Sequence, residues 1–237
     1  MHRIFRILVL ATSTLFAGEP PIAAEAREQL QRALAARLRS TDEALLKMPD
    51  DTALLTQRGD ARLFAGHAKG AVADFEKEIA LDASHDAPHW RLGIAYYFAG
   101  EYVKSADQFA KYHAYDGHDR ENGVWKFLAQ ARTDGIEKAR KEMLPYTEFD
   151  REPFPAIYEM LAGKTTAAEV LAALEKRGLQ NDAQVMFFAH YYIGVNEGIL
   201  GHAEAAREHL ATAVRFSTPA RAGYMGQCAR LEYERLK

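Results

Sequence analysis

One spacing constrains this chain more than any other feature. Gly59 and Gly93 lie 34 residues apart, as do Gly66 and Gly100, and Phe75 and Phe109. Self-similarity at a fixed period of this length marks stacked units that bury a core only by packing on their neighbours. The first unit runs from about Thr52 to Ala83 and the second from about Asp86 to Asp119, each dividing into two helices at its second glycine. Leu55, Gly59, Arg62, Gly66, Ala71 and Phe75 mark the first; Trp90, Leu92, Gly93, Tyr96, Gly100, Tyr102, Ser105, Ala106 and Phe109 mark the second. A small residue in the first helix lets the second approach closely. The aromatic residue near the middle of the second helix fills the space between units. The glycine between helices supplies a tight turn at positive φ. Glu78 departs from the pattern, standing where a small residue would serve, which predicts partial exposure or looser packing there.

A weaker third unit follows, with Trp125, Leu128, Ala131, Gly135 and Ala139, and residues 145–155 break the register as a loop. Ile157, Tyr158, Leu161 and Gly163 predict a short helix and its stop, and Thr166 to Glu169 read as a capping box opening another. A further unit carries Phe187, Tyr191, Gly194, Gly201, Ala206, Leu210 and Ala213. A last helix after Ser217-Thr218-Pro219 sets Tyr224, Cys228 and Leu231 on one apolar stripe, with charged residues opposite, as the soluble cap of a solenoid would.

These residues resemble the tetratricopeptide repeat, which implies an all-α fold: a TPR-type superhelix of stacked antiparallel helix pairs with a C-terminal cap helix. The predicted organisation is a signal peptide over 1–26, N-terminal helices over 27–51, and three repeats over 52–144. A loop and irregular helical pair then occupy 145–180, and a terminal repeat with its cap helix 181–237. This order is similar to that of the new lipoprotein I family of bacterial envelope adaptors, over roughly Leu54 to Leu236. That likeness implies a homodimeric periplasmic adaptor that presents substrates to a processing protease and binds cell-wall enzymes. The chain has no cysteine near its N-terminus, so the lipid anchor of that family does not carry over.

Export is expected from residues 1–26. Arg3 and Arg6 precede an 11-residue apolar run, Ile7 to Ala17, and Ala24-Glu25-Ala26 offers a cleavage site. The run is too short to span a bilayer comfortably, and a periplasmic or secreted location follows. The single cysteine, Cys228, rules out an internal disulfide framework and multi-cysteine zinc sites. A formal net charge of -3 gives no basic footprint for nucleic acid.

The expected function is that of a non-catalytic scaffold binding a protein or peptide segment, without a cofactor. In such arrays the first helices line a concave face. Here they offer Thr56, Asp60, Leu63 and Phe64 from the first unit and Trp90, Ile94, Tyr97 and Phe98 from the second, with Tyr191, Val195 and Ile199 from the terminal unit. That surface is apolar and aromatic enough to hold an extended peptide or a second copy of the chain. The competing expectation is that the irregular helices or the cap fold over these side chains and make them core. Asp60 would repel a carboxylate, which argues against a clamp for peptide C-termini. An envelope enzyme using an unrecognised acid or histidine site also stays open, as does a structural dimer that fills its own groove. His85 and His89 are separated by an inter-repeat turn, which speaks against a shared helical face for metal. His113, His118 and Asp119 read as a solvated turn. Neither an H-E-x-x-H pair, a G-x-S-x-G elbow nor a phosphate loop occurs. Residues 148–152 read as a solvated connector or a contact epitope.

Overall fold

A computed structural model describes residues 21–217 and 223–236. The described residues are helical, without strands. Residues 1–20 of the expected signal, and Thr218 and Pro219 before the last helix, lie outside them.

A long helix, α1 (Ala24–Lys47), opens the described chain, so the expected cleavage triplet Ala24 to Ala26 forms its first turn. Three helix pairs follow: α2 (Thr52–Phe64) with α3 (Ala68–Leu81), α4 (Trp90–Ala99) with α5 (Tyr102–Tyr115), and α6 (Arg120–Thr133) with the short α7 (Ile136–Lys141). Then come α8 (Phe154–Leu161) with α9 (Ala167–Lys176), α10 (Ala183–Ile199) with α11 (Ala203–Phe216), and α12 (Gly223–Arg235). Each helix packs on the next through α7, while α6 also meets α8 and α10.

The glycine–aromatic spacing has a direct steric meaning. A Cβ at Gly59 would stand 2.5 Å from Phe75 Cε1, and one at Gly93 would stand 2.8 Å from Phe109. The two rings occupy the space a side chain would need, so the paired helices approach through them. The rings also face the next unit: Phe75 lies 5.0 Å from the His89 ring, and Phe109 stacks on Trp125 at 6.0 Å. In the terminal pair Leu210 takes the aromatic position, 2.8 Å from the place of a Gly194 Cβ. Gly66 and Gly100, with φ of +86° and +81°, turn the chain between paired helices at a backbone angle costly for other residues.

Polar contacts add register. Asp74, buried in α3, accepts from Arg58 Nη2 at 2.7 Å and Arg62 Nη1 at 2.8 Å on α2. The capping box at Thr166 is formed on both sides: its hydroxyl accepts from the Glu169 N–H, and the Glu169 carboxylate accepts from the Thr166 N–H.

Two expectations are corrected and a third is given detail. Glu78 is buried, not partly exposed: Thr56 Oγ1 donates to it at 2.6 Å, and the rings of His85 and His89 lie 2.9 and 3.4 Å from its oxygens. Burial works to raise its pKa, but the bonds from His89, Thr56 and His85 outweigh this and hold it below the usual carboxylate value. Residues 148–152 leave Glu148 and Phe149 exposed, but are tied to the body through Asp150 and Arg151. Arg120 donates to Asp150 Oδ1 at 3.0 Å and to the Glu148 carbonyl at 2.8 Å, while Arg151 donates to Glu121 at 2.6 Å and Asp119 at 2.9 Å. Finally, α12 is no simple exposed cap. Its Arg230 and Glu232 are buried beside Cys228, because the helix packs on α2 as well as on α11.

Candidate functional site

The placement of α12 decides what the surfaces of α2 and α4 can do. Tyr224 enters between Phe64 of α2 and Trp90 of α4, with ring centroids 4.8 and 4.7 Å away in edge-on geometry. Arg91 stacks over Trp90 at 4.3 Å and pairs with Asp60 at 3.3 Å. Burial pushes the Asp60 carboxyl up to about 6, with Arg91 pulling the other way. Further along, Arg230 Nη2 donates to the Phe64 carbonyl and Arg235 Nη2 to the Phe98 carbonyl. Both carbonyls lie in last turns of first helices, where backbone acceptors lack intrahelical partners and a cation is favoured. Phe64 and Phe98 are one repeat apart, so α12 uses two arginines to grip equivalent points on successive units.

Of the eight residues expected to bind a partner, four are buried and four, Thr56, Asp60, Phe64 and Trp90, are half-buried; Thr56 and Trp90 border a small opening of about 190 Å³ beside Glu78 and His85. Leu63, Ile94 and Tyr97 are fully buried, and Phe98 is nearly so. Tyr97 contacts Trp125 at 5.2 Å, and its hydroxyl accepts from Arg132 Nε at 2.8 Å. Thr56 is engaged with Glu78, Asp60 with Arg91, and Phe64 and Trp90 with Tyr224. The terminal unit behaves alike: Tyr191 and Val195 are buried and Ile199 half-buried. The last helix thus covers part of this surface, at Phe64, Trp90 and the Phe98 carbonyl, in the manner of the competing expectation. A stripe at helical spacing shows that a face is apolar, not what covers it.

An opening of another kind lies beneath α1. Only Thr41 and Leu45 of this 24-residue helix are buried. Leu30, Leu34 and Leu38 are half-buried and line cavities instead of packing closely. One cavity of about 310 Å³ lies between these leucines and Phe64, Gly66, Arg230, Leu231 and Glu234. A second of about 370 Å³ runs from Ile22 and Ala26 to Val214, Gly226 and Arg230, sharing Leu30 and Arg230 with the first. A third of about 720 Å³ continues past Leu38, Asp42, Gly66 and His67 toward Lys69 and Phe98. Joined through these shared residues, the three make a trough along α1. Arg27 spans it, its Nε 3.5 Å from Glu234 of α12. Volumes of this size suit ligand sites. The signal for it in the sequence is the Leu30, Leu34, Leu38 stripe; its opposite wall comes from α2 and α12, far away along the chain.

Other reactive groups are accounted for by packing. Cys228 is buried, and burial pushes its thiol well up. His85 and His89 do converge, but on Glu78 of α3 and not along one helix. His113 faces the Tyr146 ring at 5.0 Å, and His118 lies 3.3 Å from Asp116. Among the described residues, no group of three His, Cys, Asp or Glu side chains is arranged to hold a metal ion, and no helix is long and apolar enough to cross a membrane. No established protein family's sequence profile matches the chain.

Proposed function

We propose that the chain is an exported, non-catalytic scaffold of the tetratricopeptide type that binds a protein segment in the trough beneath α1. The observation that carries this reading is the row of neighbouring openings along α1. Three cavities share lining residues along a helix whose leucines are only half-buried. Two walls built of regular helices present an apolar strip that the described residues leave open, which is how rigid helical repeats bind extended segments. The repeat spacing, the hairpin glycines and the filled glycine notches support the tetratricopeptide assignment. Binding energy would come mainly from apolar burial at about 25 cal/mol per Å², less the cost of ordering the partner. An adaptor role in the envelope follows from the expected signal.

A photo-crosslinking amino acid at Leu34 tests the trough in the native cell, with Ala36 on the outer side of α1 as control. Polypeptide adducts from position 34 but not from 36 are expected. No adduct at 34, or equal adducts at both, would reject the site. Fractionation tests export: intact N-terminus and full recovery in the cytosol would reject it.

A further inference from the structure

We propose that His190 and His209 form a two-histidine site for a divalent transition metal ion, copper(II) above others. The site lies on the terminal helix pair and does not depend on the trough beneath α1.

The pair is built by the packing of α10 on α11. Gly194 stands one turn after His190, and a Cβ there would meet Leu210, next to His209, at 2.8 Å, so the helices approach closely beside the two histidines. The Nδ1 atoms of His190 and His209 lie 2.9 Å apart, with their ring centroids 5.0 Å apart. Phe216, further along α11, stacks on the His190 ring at 6.1 Å and holds its plane. Both histidines are half-buried, so packing fixes the pair while solvent still reaches it.

The chemistry follows from the nitrogens. With both rings neutral, one Nδ1 carries a proton and the other offers a lone pair. Moving that proton to Nε2 of the same ring leaves two lone pairs side by side, with no proton lost to solvent and no change in charge. Metal–imidazole bonds of about 2.05 Å put neighbouring ligands of a square or octahedral centre about 2.9 Å apart, and those of a tetrahedral centre about 3.3 Å apart. The observed separation matches the first arrangement once the rings turn both nitrogens toward a shared point. Copper(II) heads the affinity order for nitrogen ligands and favours that arrangement. Burial lowers the pKa of both rings, which keeps protons from competing at neutral pH. The charges acting on His209 are the carboxylates of Glu197 and Glu208, which favour a cation. Water fills the coordination positions that two side chains leave.

Titration of the whole, metal-stripped protein with copper(II) chloride, followed by electron paramagnetic resonance, tests this. His2→Gln serves as the background, because His2 beside the terminal amine is a competing copper ligand. One equivalent should give a tetragonal spectrum split by two nitrogens. His190→Gln and His209→Gln should each weaken binding at least about tenfold, as a chelate becomes a single contact. His118→Gln, at an exposed ring, should leave it unchanged. Circular dichroism checks that each variant keeps its helices. A one-nitrogen spectrum, no saturable binding, or binding that only one or neither of the two variants weakens would overturn the site. The nitrogen count is read with both histidines in place, so it decides even where a variant fails to fold.

Discussion

Arg230 of α12 donates a hydrogen bond to the backbone carbonyl of Phe64, 166 residues earlier in the chain. The contact closes the molecule on itself, because the last helix caps the first helix of the first repeat. Arg230 is buried, and its other nitrogens donate to Glu234 at 2.7 Å and Gln227 at 3.0 Å. Arg230→Ala strips the cation from three acceptors, one of them a helix C-terminal carbonyl. We expect a loss of about 2–3 kcal/mol in urea unfolding. Arg235→Ala should cost less, because Arg235 is exposed while making the equivalent bond to Phe98. Equal effects would mean that Arg230 is not the stronger of the two anchors of α12.

The steric notch at Gly93 makes a second prediction. Alanine there gains about 1 kcal/mol of helix propensity. It also puts a methyl group 2.8 Å from the fully buried Phe109 ring. Overpacking should win, leaving a net loss of at least about 1 kcal/mol. The double variant with Phe109→Leu should recover part of it. Gly70→Ala is the contrast: its nearest neighbour is Arg62 Cδ at 3.2 Å, on a flexible side chain, and its φ is ordinary. That variant should be neutral or stabilising by up to about 1 kcal/mol.

Arg151 and Glu121 should behave as a unit. Burial pushes the Glu121 carboxyl up to about 7, against the opposing pull of the Tyr192 hydroxyl and the Arg151 charge. Arg151→Met removes that cation and should cost about 2–3 kcal/mol. Adding Glu121→Gln removes the uncompensated charge, so the double variant should be more stable than the sum of the single losses predicts. Strict additivity in a double-mutant cycle would contradict the coupling.

His190 predicts a pH response. Burial, and then the charge of His209 with its Nδ1 2.9 Å away, lower its pKa from 6.5 to about 4. The unfolded chain therefore takes up this proton first. The contribution of neutral His190 is fully present above pH 6.5 and is lost as the pH falls through about 4. Chemical denaturation at pH 7 and pH 4.5 should show a drop in stability that shrinks in His190→Gln. His209 is also lowered by burial, with Glu197 and Glu208 acting in the opposite sense, so His209→Gln should shrink it less. An unchanged drop in His190→Gln would assign the pH response elsewhere.

Which parts can be read without coordinates follows from how local their causes are. Gly59 with Phe75, and Gly93 with Phe109, lie 16 residues apart within one helical hairpin, so spacing alone exposes the notch and its filler. The turn glycines and the Thr166 capping box are local in the same way. The burial of Glu78 does not show in the repeat pattern because its three partners arrive from two places: Thr56 from the preceding helix, and His85 and His89 from the following connection. The aromatic stripe through Trp90 and Tyr97 is legible as apolar, but not what covers it.

The order of helices, their pairing and the apolar faces they must hide were determined by the sequence itself, because helical periodicity, glycine turns and caps act over a few residues. Only the tertiary structure decided which apolar surface became core and which stayed open. Tyr224 and Arg230 cover Phe64 and Trp90 of the first helices, whereas Leu30, Leu34 and Leu38 border an open trough. Burial depends on what arrives from distant parts of the chain, and one helix of suitable shape was enough to move the accessible surface from the repeats to the space beneath α1.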